Sequence, residues 1–500
     1  MKPIYVILFC TFVASAVLAE DLPKLRKAPD DRILIAPGVR SDDLPDLGDV
    51  SQTVLTPLQE QRISDQIMRD VMSSGDVVQD VEVTDYVQNL GYKLAANGPD
   101  KHQLFNFFVV QDNSINAFAM PGGLIGVHTG LILAANSESE VAGVLGHEIG
   151  HVVQHHMARM MAQQKMDSIK SIATLALAAL AARASPELAG GVMTTASAAG
   201  VQSQLNYTRE HEREADRIGL QILDSAGFDV RAMPRFFETL QKGSRFVEGS
   251  APSFLRTHPL TTERIADVRN RVDQLPYRQA QDSQEFQYVR AKLLANLGSI
   301  QQAVALFEGN LADKTYTNEA SQHYGLALAL IRKSNLEGAA AQLAWLRKNA
   351  ARNAMVETLA AQIEVARNNP QQAAKQYLTA LMAFPGHRAL IYGYAEHLLA
   401  TNQIDQVLKF INEKQPQYPN DPNFFELRSK AYTAQGKNLL RHQAQSEAYF
   451  RRYDIPKAVE QMDLAVKAGD GDFYQRSSVE ARLNELRLLV IEPKKEGFFN

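Results

Sequence analysis

Cysteine is almost absent from this 500-residue chain, since the only one is Cys10. Position 10 lies in an N-terminal stretch, MKPIYVILFCTFVASAVLAED, with one early lysine, an apolar run and small residues before Glu20. This pattern is typical of a secretory signal peptide, residues 1–19, and we predict cleavage after Ala19. The mature chain then has no cysteine, which excludes disulfides, a cysteine nucleophile and thiolate metal ligands. Any metal site must be built from His, Asp and Glu.

Strong charge of one sign and long apolar runs are also missing. The formal net charge is −4 at pH 7, so neither nucleic acid nor an anionic membrane surface is indicated as a partner. The apolar run at 169–184 is shorter than the ~20 residues that span a bilayer, and we interpret segment 169–200 as a helical hairpin or flap. The leader is likewise too short for an anchor and no stop-transfer pattern follows it. These features favour a bacterial periplasm and leave peripheral membrane association open.

The length predicts more than one domain, because 500 residues exceed a single hydrophobic core. Residues 20–50 contain four prolines among mixed charges and are predicted to form an extended arm. Residues 51–275 mix strand and helix signals and are predicted to form an α+β domain, mostly helical with a small sheet. Residues 281–490 are predicted to form an all-α repeat domain.

Local signals place the elements of the first domain. Thr56 opens a capping box with proline at the first helical position, which predicts the start of a helix. Residues 104–110 form an apolar run that predicts a buried strand. Residues 116–123 predict an edge strand, and residues 124–130 predict a hairpin-like return. A further helix is predicted from position 137 to about position 161.

The second domain shows an internal period. Glycine or asparagine follows an apolar helical segment at positions 298, 335, 369, 402 and 436, with spacings of 37, 34, 33 and 34 residues. A small residue or valine stands five places after the first four of these positions: Ala303, Ala340, Ala374 and Val407. A helix–turn–helix unit of 34 residues is typical of tetratricopeptide repeats, and the regular period disfavours an arbitrary helical bundle. We predict about four repeats with capping helices, whose concave surface would bind protein segments.

The sequence HEIGH, residues 147–151, predicts a metal site on the helix that begins near position 137. Positions i and i+4 lie on one face of a helix, so His147 and His151 can direct their imidazoles at one ion. Glu148 is turned about 100° away, which lets it act on a water without ligating the ion. The alternative is a pair of structural histidines. His155 and His156 are interpreted as surface residues.

A catalytic zinc needs a third protein ligand, and the segment YTREHEREADRIGLQIL (207–223) offers the candidates. Glu212 and Asp216 share one edge of the buried side of this predicted helix. Two inward carboxylates four residues apart repel unless a cation lies nearby. Glu212 is therefore the preferred ligand, with Asp216 holding a ligand histidine. His211, which lines up with the apolar positions, is the rival ligand.

HEIGH, followed some sixty residues later by Glu-x-x-Ala-Asp at 212–216, resembles the M48 family of zinc metallopeptidases. NAFAMPGG and GVHTGL are similar to the family's edge strand, and the resemblance covers about residues 55–275. It implies one Zn²⁺ per subunit that lowers the pKa of a bound water towards ~7. Glu148 is then implied to be the general base. It also implies that His258, in Thr-His-Pro, approaches the zinc, either to stabilise the oxyanion or to occupy the open position and block the site.

A signal peptide, an M48 domain and tetratricopeptide repeats together resemble periplasmic M48 members of Gram-negative bacteria. This resemblance implies an endopeptidase that degrades misfolded or stalled outer-membrane proteins and assists their assembly. The repeats would select clients or dock at the outer-membrane β-barrel assembly machinery. An extended substrate would pair with residues 116–120. The alternative is a chaperone or scaffold whose zinc site is structural, with His258 as the fourth ligand.

Overall fold

The computed structural model describes residues 56–164, 209–245 and 253–490. These residues form a mostly helical α+β unit with a three-stranded sheet, followed by an all-helical repeat array, which confirms the predicted fold class. The predicted signal peptide (1–19), extended arm (20–50) and hairpin segment (169–200) lie outside the described residues. Within those described, every helix is too short or too polar to cross a membrane.

Helices are numbered in order along the described residues. The first group is α1 (Pro57–Ser74), α2 (Val81–Ala95), α3 (Thr129–Ala134), α4 (Glu138–Val153), α5 (His156–Gln164), α6 (Arg209–Ser225), α7 (Ala232–Arg245), α8 (Ser253–Thr257) and α9 (Thr262–Val272). The repeat array contains α10 (Gln284–Asn296), α11 (Ile300–Asp313), α12 (Glu319–Arg332), α13 (Leu336–Asn349), α14 (Ala354–Ala366), α15 (Pro370–Ala383), α16 (Arg388–Ala400), α17 (Ile404–Lys414), α18 (Pro422–Ala434), α19 (Asn438–Arg451), α20 (Ile455–Lys467) and α21 (Phe473–Val490).

The sheet contains β1 (Asn106–Val110), β2 (Ala117–Met120) and β3 (Leu124–His128). Its order is β1-β3-β2, with β3 parallel to β1 and antiparallel to β2, so β2 is an edge strand of the described sheet. The predicted strand at 116–123 ends earlier than expected. The glycines of Pro121–Gly123 take positive φ angles of 75° and 77° and form a 3-10 turn. This turn reverses the chain into β3.

Helices α4 and α6 approach each other closely through small residues. A Cβ atom on Gly150 would lie 2.9 Å from the carbonyl oxygen of Ala215, and one on Gly219 would lie 2.9 Å from the backbone nitrogen of His147. Larger side chains would force the helices apart. The glycine inside HEIGH is therefore explained by packing. The contact sets His147 and His151 directly against the carboxylates of α6.

The helix that carries HEIGH is shorter than predicted. It ends at Val153, and His155 adopts a left-handed conformation with φ of 50° before α5 begins at His156. The prediction of one helix to about position 161 is wrong because this single residue breaks the helical path. The break folds α5 back towards the end of α4.

The repeat period is more regular in the structure than in the sequence pattern. Left-handed residues join successive helices at Gly298, Ser334, Asn368, Asn402 and Gly436, which are 36, 34, 34 and 34 residues apart. Asn335 and Asn369, which the sequence pattern aligned with the turns, are instead the N-cap residues of α13 and α15.

The array packs back onto α2 of the first unit. Buried Glu82 lies 2.6 Å from the Nζ atom of Lys292 in α10 and 2.9 Å from the Nε2 atom of His387, which precedes α16. Burial alone would raise the pKa of Glu82, but Lys292 and His387 outweigh it and lower the pKa to about 2. A continuous apolar core also runs from Val78 through α10 to Ile363 in α14. The α+β unit and the first repeats therefore share one interior.

Candidate metal centre

Four side chains converge between α4, α6 and the residue that follows α8. His147 and His151 come from α4, Glu212 from α6, and His258 from the turn before α9. All four are at most 2% exposed. One nitrogen or oxygen atom from each lies within 4.8 Å of the others. Three of them are the residues that the sequence indicated as metal ligands, and the fourth is the Thr-His-Pro histidine.

The spacing of these donor atoms fits a tetrahedral ion. The Nε2 atoms of His147 and His151 are 3.0 Å apart, and each lies 3.5 Å from a carboxylate oxygen of Glu212. The Nδ1 atom of His258 lies 3.4 Å from His147 Nε2 and 2.9 Å from Glu212 Oε1. Ligands about 2.1 Å from a tetrahedral zinc are about 3.4 Å from one another. The donor set and its dimensions therefore suit zinc.

The charges of the centre also favour a divalent cation. Glu148, Glu212 and Asp216 are buried carboxylates, and Arg264 is the buried guanidinium beside them. If the three carboxylates are counted as ionised and the histidines as neutral, as metal binding requires, the formal charge of the group is −2. Uncompensated buried charge is strongly unfavourable. A dication would balance this excess.

The pKa shifts follow from this surplus of carboxylates. Burial lowers the pKa of His147, but hydrogen bonds and charges from Asp216 and Glu212 outweigh it and raise the pKa to about 9. Burial dominates at His151 and lowers its pKa to about 3. Burial alone would raise the pKa of Glu212, but His258 and Arg264 hold it well below its usual value. Glu212 is thus an anion, as a carboxylate ligand must be.

Asp216, in α6, and Arg264, in α9, contact the donor residues His147 and Glu212. The Nδ1 atom of His147 lies 2.9 Å from Asp216 Oδ1. Arg264 donates to both carboxylate oxygens of Asp216 at 2.8 Å, and its Nη1 atom lies 2.5 Å from Glu212 Oε2. The arrangement suits the predicted role of Asp216 in orienting a ligand histidine.

Arg264 was missed by the sequence reasoning. It is 1% exposed and lies on the same face of α9 as Ile265, Val268 and Val272. A charged residue on the apolar face of an amphipathic helix is almost never buried without a partner. This position was therefore a signal that a buried carboxylate would lie opposite it.

Glu148 is fully buried beside the donor group but is not part of it. Neither of its carboxylate oxygens has a hydrogen-bond partner among the described residues. The Nε2 atom of His258 lies 3.5 Å from Glu148 Oε1. A buried carboxylate with unused acceptor capacity can bind a water and take its proton.

The remaining histidines of the region do not join the donor group. His211, the rival ligand, stacks on His156 with ring centroids 4.5 Å apart. His156 is 0% exposed, so its interpretation as a surface residue is wrong. The break after α4 turns His156 inward, whereas a continuous helix would have directed it elsewhere. His155, within the break, is half-buried.

Comparison with known families agrees with this organisation. The profile of Peptidase family M48 matches residues 82–272, which include all four donor residues and Glu148. A tetratricopeptide-repeat profile matches residues 364–431, within the helical array.

Known proteins are similar to the chain over most of its length. The putative beta-barrel assembly-enhancing protease of Vibrio cholerae is 32% identical over 446 residues, which cover 89% of this chain and 92% of that protein. The beta-barrel assembly-enhancing protease of Escherichia coli strain K12 is 30% identical over 456 residues, or 90% and 92% of the two chains. The metalloprotease YcaL of the same strain is 32% identical over 168 residues, 33% of this chain and 62% of that protein.

Proposed function

Since the chain belongs to peptidase family M48, and within it to the beta-barrel assembly-enhancing proteases, we propose that this metalloprotease is a zinc endopeptidase of the Gram-negative periplasm. Its substrates are misfolded or stalled outer-membrane proteins, and it also assists their assembly. The observation that carries the proposal is the group of four donor atoms beside Glu148.

The proposed ligands are His147, His151 and Glu212, and the proposed ion is one Zn²⁺ per chain. Bound zinc supplies Lewis acidity, which polarises a scissile carbonyl and makes a water more acidic. Glu148 takes the proton of the attacking water and later delivers it to the leaving amine. Asp216 and Arg264 hold His147 and Glu212 in place. Burial of all these groups excludes bulk water and strengthens each electrostatic contact.

An extended substrate segment would bind along residues 116–120. Strand β2 pairs with β3 on one side and has no strand neighbour on the other among the described residues. Main-chain pairing at a sheet edge requires no particular side chains. This mode of binding suits a protease that acts on unfolded chains of varied sequence.

We propose that His258 blocks the site in the resting enzyme. Its Nδ1 atom stands among the donor atoms, where it would close the position that a catalytic zinc keeps open. His258 is connected to the edge strand along which a substrate would bind. The backbone N–H of Phe254 in α8 donates to the carbonyl of Ile115, just before β2. The His258 ring stacks on Phe254 at 4.6 Å. Pairing of a substrate with β2 would therefore affect the position of His258 through Ile115 and Phe254.

Replacing His258 with alanine is expected to raise kcat/KM for an unfolded protein. A competent state populated at about 10% or less lowers apparent affinity in proportion, so removing the block gives about a tenfold gain or more. Activity and zinc content would be measured together on the full chain, with His102→Ala, an exposed histidine, as the control. A fall in kcat with zinc retained would assign His258 to oxyanion stabilisation instead. Loss of zinc would favour a structural ion and the scaffold hypothesis.

The function is tested with one outer-membrane β-barrel protein in two states, urea-unfolded and folded in detergent micelles. We expect fragments from the unfolded state only, inhibition by a chelator and recovery with added zinc. Equal cleavage with and without chelator would refute the zinc mechanism. A chain that produces no fragments yet raises the yield of barrel inserted into vesicles would be a chaperone with a closed metal site.

We further propose a division of labour along the chain. The M48 domain, residues 51–275, carries the chemistry, and the repeats at 281–490 select clients or dock at the outer-membrane β-barrel assembly machinery. Export by a cleaved signal peptide, residues 1–19, would place both in the periplasm.

A further inference from the structure

His156 is a buried histidine that the proposed mechanism does not use. Its Nδ1 atom lies 2.9 Å from the Nδ1 atom of His151, and its Nε2 atom lies 3.1 Å from Glu214 Oε2. Arg159 donates to the same oxygen of Glu214 at 3.0 Å. The four side chains form a continuous line from the donor group to the outer side of α6.

The contact depends on the break between α4 and α5. In an uninterrupted helix, a residue five positions further on lies about 140° around the axis. His156 would then face away from His151. The left-handed conformation of His155 reverses the chain and places the two imidazole rings 4.9 Å apart. His211 covers the other face of His156 and fixes its ring plane.

The tautomers of the two imidazoles determine which atom donates and which accepts in each of these hydrogen bonds. A neutral imidazole has one N–H donor and one acceptor nitrogen. The Nε2 atom of His151 points into the donor group, so a bound metal requires its proton on Nδ1. His151 Nδ1–H must then donate to His156 Nδ1. The proton of His156 therefore lies on Nε2, facing the carboxylate of Glu214.

We propose that His156 and Glu214 are positioning residues that hold His151 as a metal ligand, with Arg159 anchoring Glu214. This inference rests on the proposed zinc site. His147 contacts the carboxylate of Asp216 directly, whereas His151 is linked to the carboxylate of Glu214 through His156. Both routes fix the tautomer and the ring orientation of the ligand. Outer partners of this kind typically contribute 10–100-fold to metal affinity.

The test measures zinc affinity of the full chain by competition with a chelator. His156→Leu keeps an apolar bulk but removes the acceptor, and we expect zinc affinity to fall about 10–100-fold. His156→Asn retains a side-chain oxygen near the position of Nδ1, and is expected to restore most of the affinity. Glu214→Leu should weaken binding less than His156→Leu, because His156 can still accept from His151. His102→Leu is the matched control.

A second readout separates positioning from general loss of structure. With Co²⁺ in place of zinc, the visible absorption bands report ligand geometry, and we expect them to shift in His156→Leu but not in His156→Asn. Wild-type zinc affinity in a folded His156→Leu chain would overturn the proposed positioning role of His156. If that variant does not fold, wild-type affinity in Glu214→Leu would overturn the proposal. Glu214 is partly exposed, so its replacement is expected to leave the fold intact. A wild-type chain that binds no zinc would instead refute the proposed zinc site.

Discussion

Glu148→Gln is expected to lower kcat for cleavage of an unfolded protein by on the order of 10³ while leaving one zinc bound. General acid–base catalysis contributes about 10²–10⁴-fold, and glutamine cannot accept the proton of the attacking water. Zinc is retained because Glu148 is not among the four donor residues. The substitution also breaks no hydrogen bond among the described residues, because neither carboxylate oxygen has a partner there.

The same protein preparation decides the outcome by metal analysis and single-turnover kinetics. Glu140→Gln is a matched control, because Glu140 is equally buried on α4 and accepts from the backbone N–H of Asn136, which an amide oxygen can also do. We expect full activity from this control. If Glu148→Gln cleaved at the wild-type rate, another group would have to serve as the base.

Glu212→Gln is expected to remove the zinc rather than merely slow the reaction. A neutral amide replaces the anionic donor that lies 3.5 Å from the Nε2 atoms of His147 and His151. The loss of affinity should exceed the roughly 10–100-fold effect of losing an outer partner. Arg264 keeps its paired contact with Asp216, so the fold is expected to survive. Zinc stoichiometry after dialysis and thermal unfolding are the two measurements.

The control for Glu212 also tests the rival ligand. Glu210→Gln changes an exposed carboxylate on the same helix and should leave zinc binding unchanged. His211→Leu should also retain the ion, because His211 lies outside the donor group and packs on His156. Normal zinc content in Glu212→Gln together with loss in His211→Leu would assign the ligand to His211.

The site residues that lie close together in the sequence could be predicted, because helical periodicity decides which of them share a face. The separation of four residues puts His147 and His151 on one face, and the same spacing pairs Glu212 with Asp216. The helix start at Thr56 follows from capping chemistry in the same way, and the repeat turns are predicted to within one residue. Short-range stereochemistry alone determines these features.

The remaining parts depend on contacts between distant segments. Arg264 acquires its importance only when α9 packs against α6 and brings it to Asp216. His156 became buried because one left-handed residue, His155, redirected α5, and residues other than glycine are uncommon at positive φ. The turn at His155 leaves no periodic signal, and the place of Arg264 on the apolar face of α9 predicts a buried partner without identifying it. Burial of a polar residue in such places is decided by tertiary packing.

Because the peptidase unit and the repeats share one apolar interior, neither can be replaced independently of the other. A chain cut near position 280 would uncover the apolar face that contacts Phe286, and would leave Glu82 without Lys292 and His387. Removing the partners of a buried charge typically costs about 3–5 kcal/mol. Grafting a foreign repeat array onto this catalytic unit would therefore require transplanting α10 and the start of α16 as well. Changes in the repeats are tolerated only where they leave these contacts with α2 intact, so sequence divergence of the array is confined to the surfaces away from them.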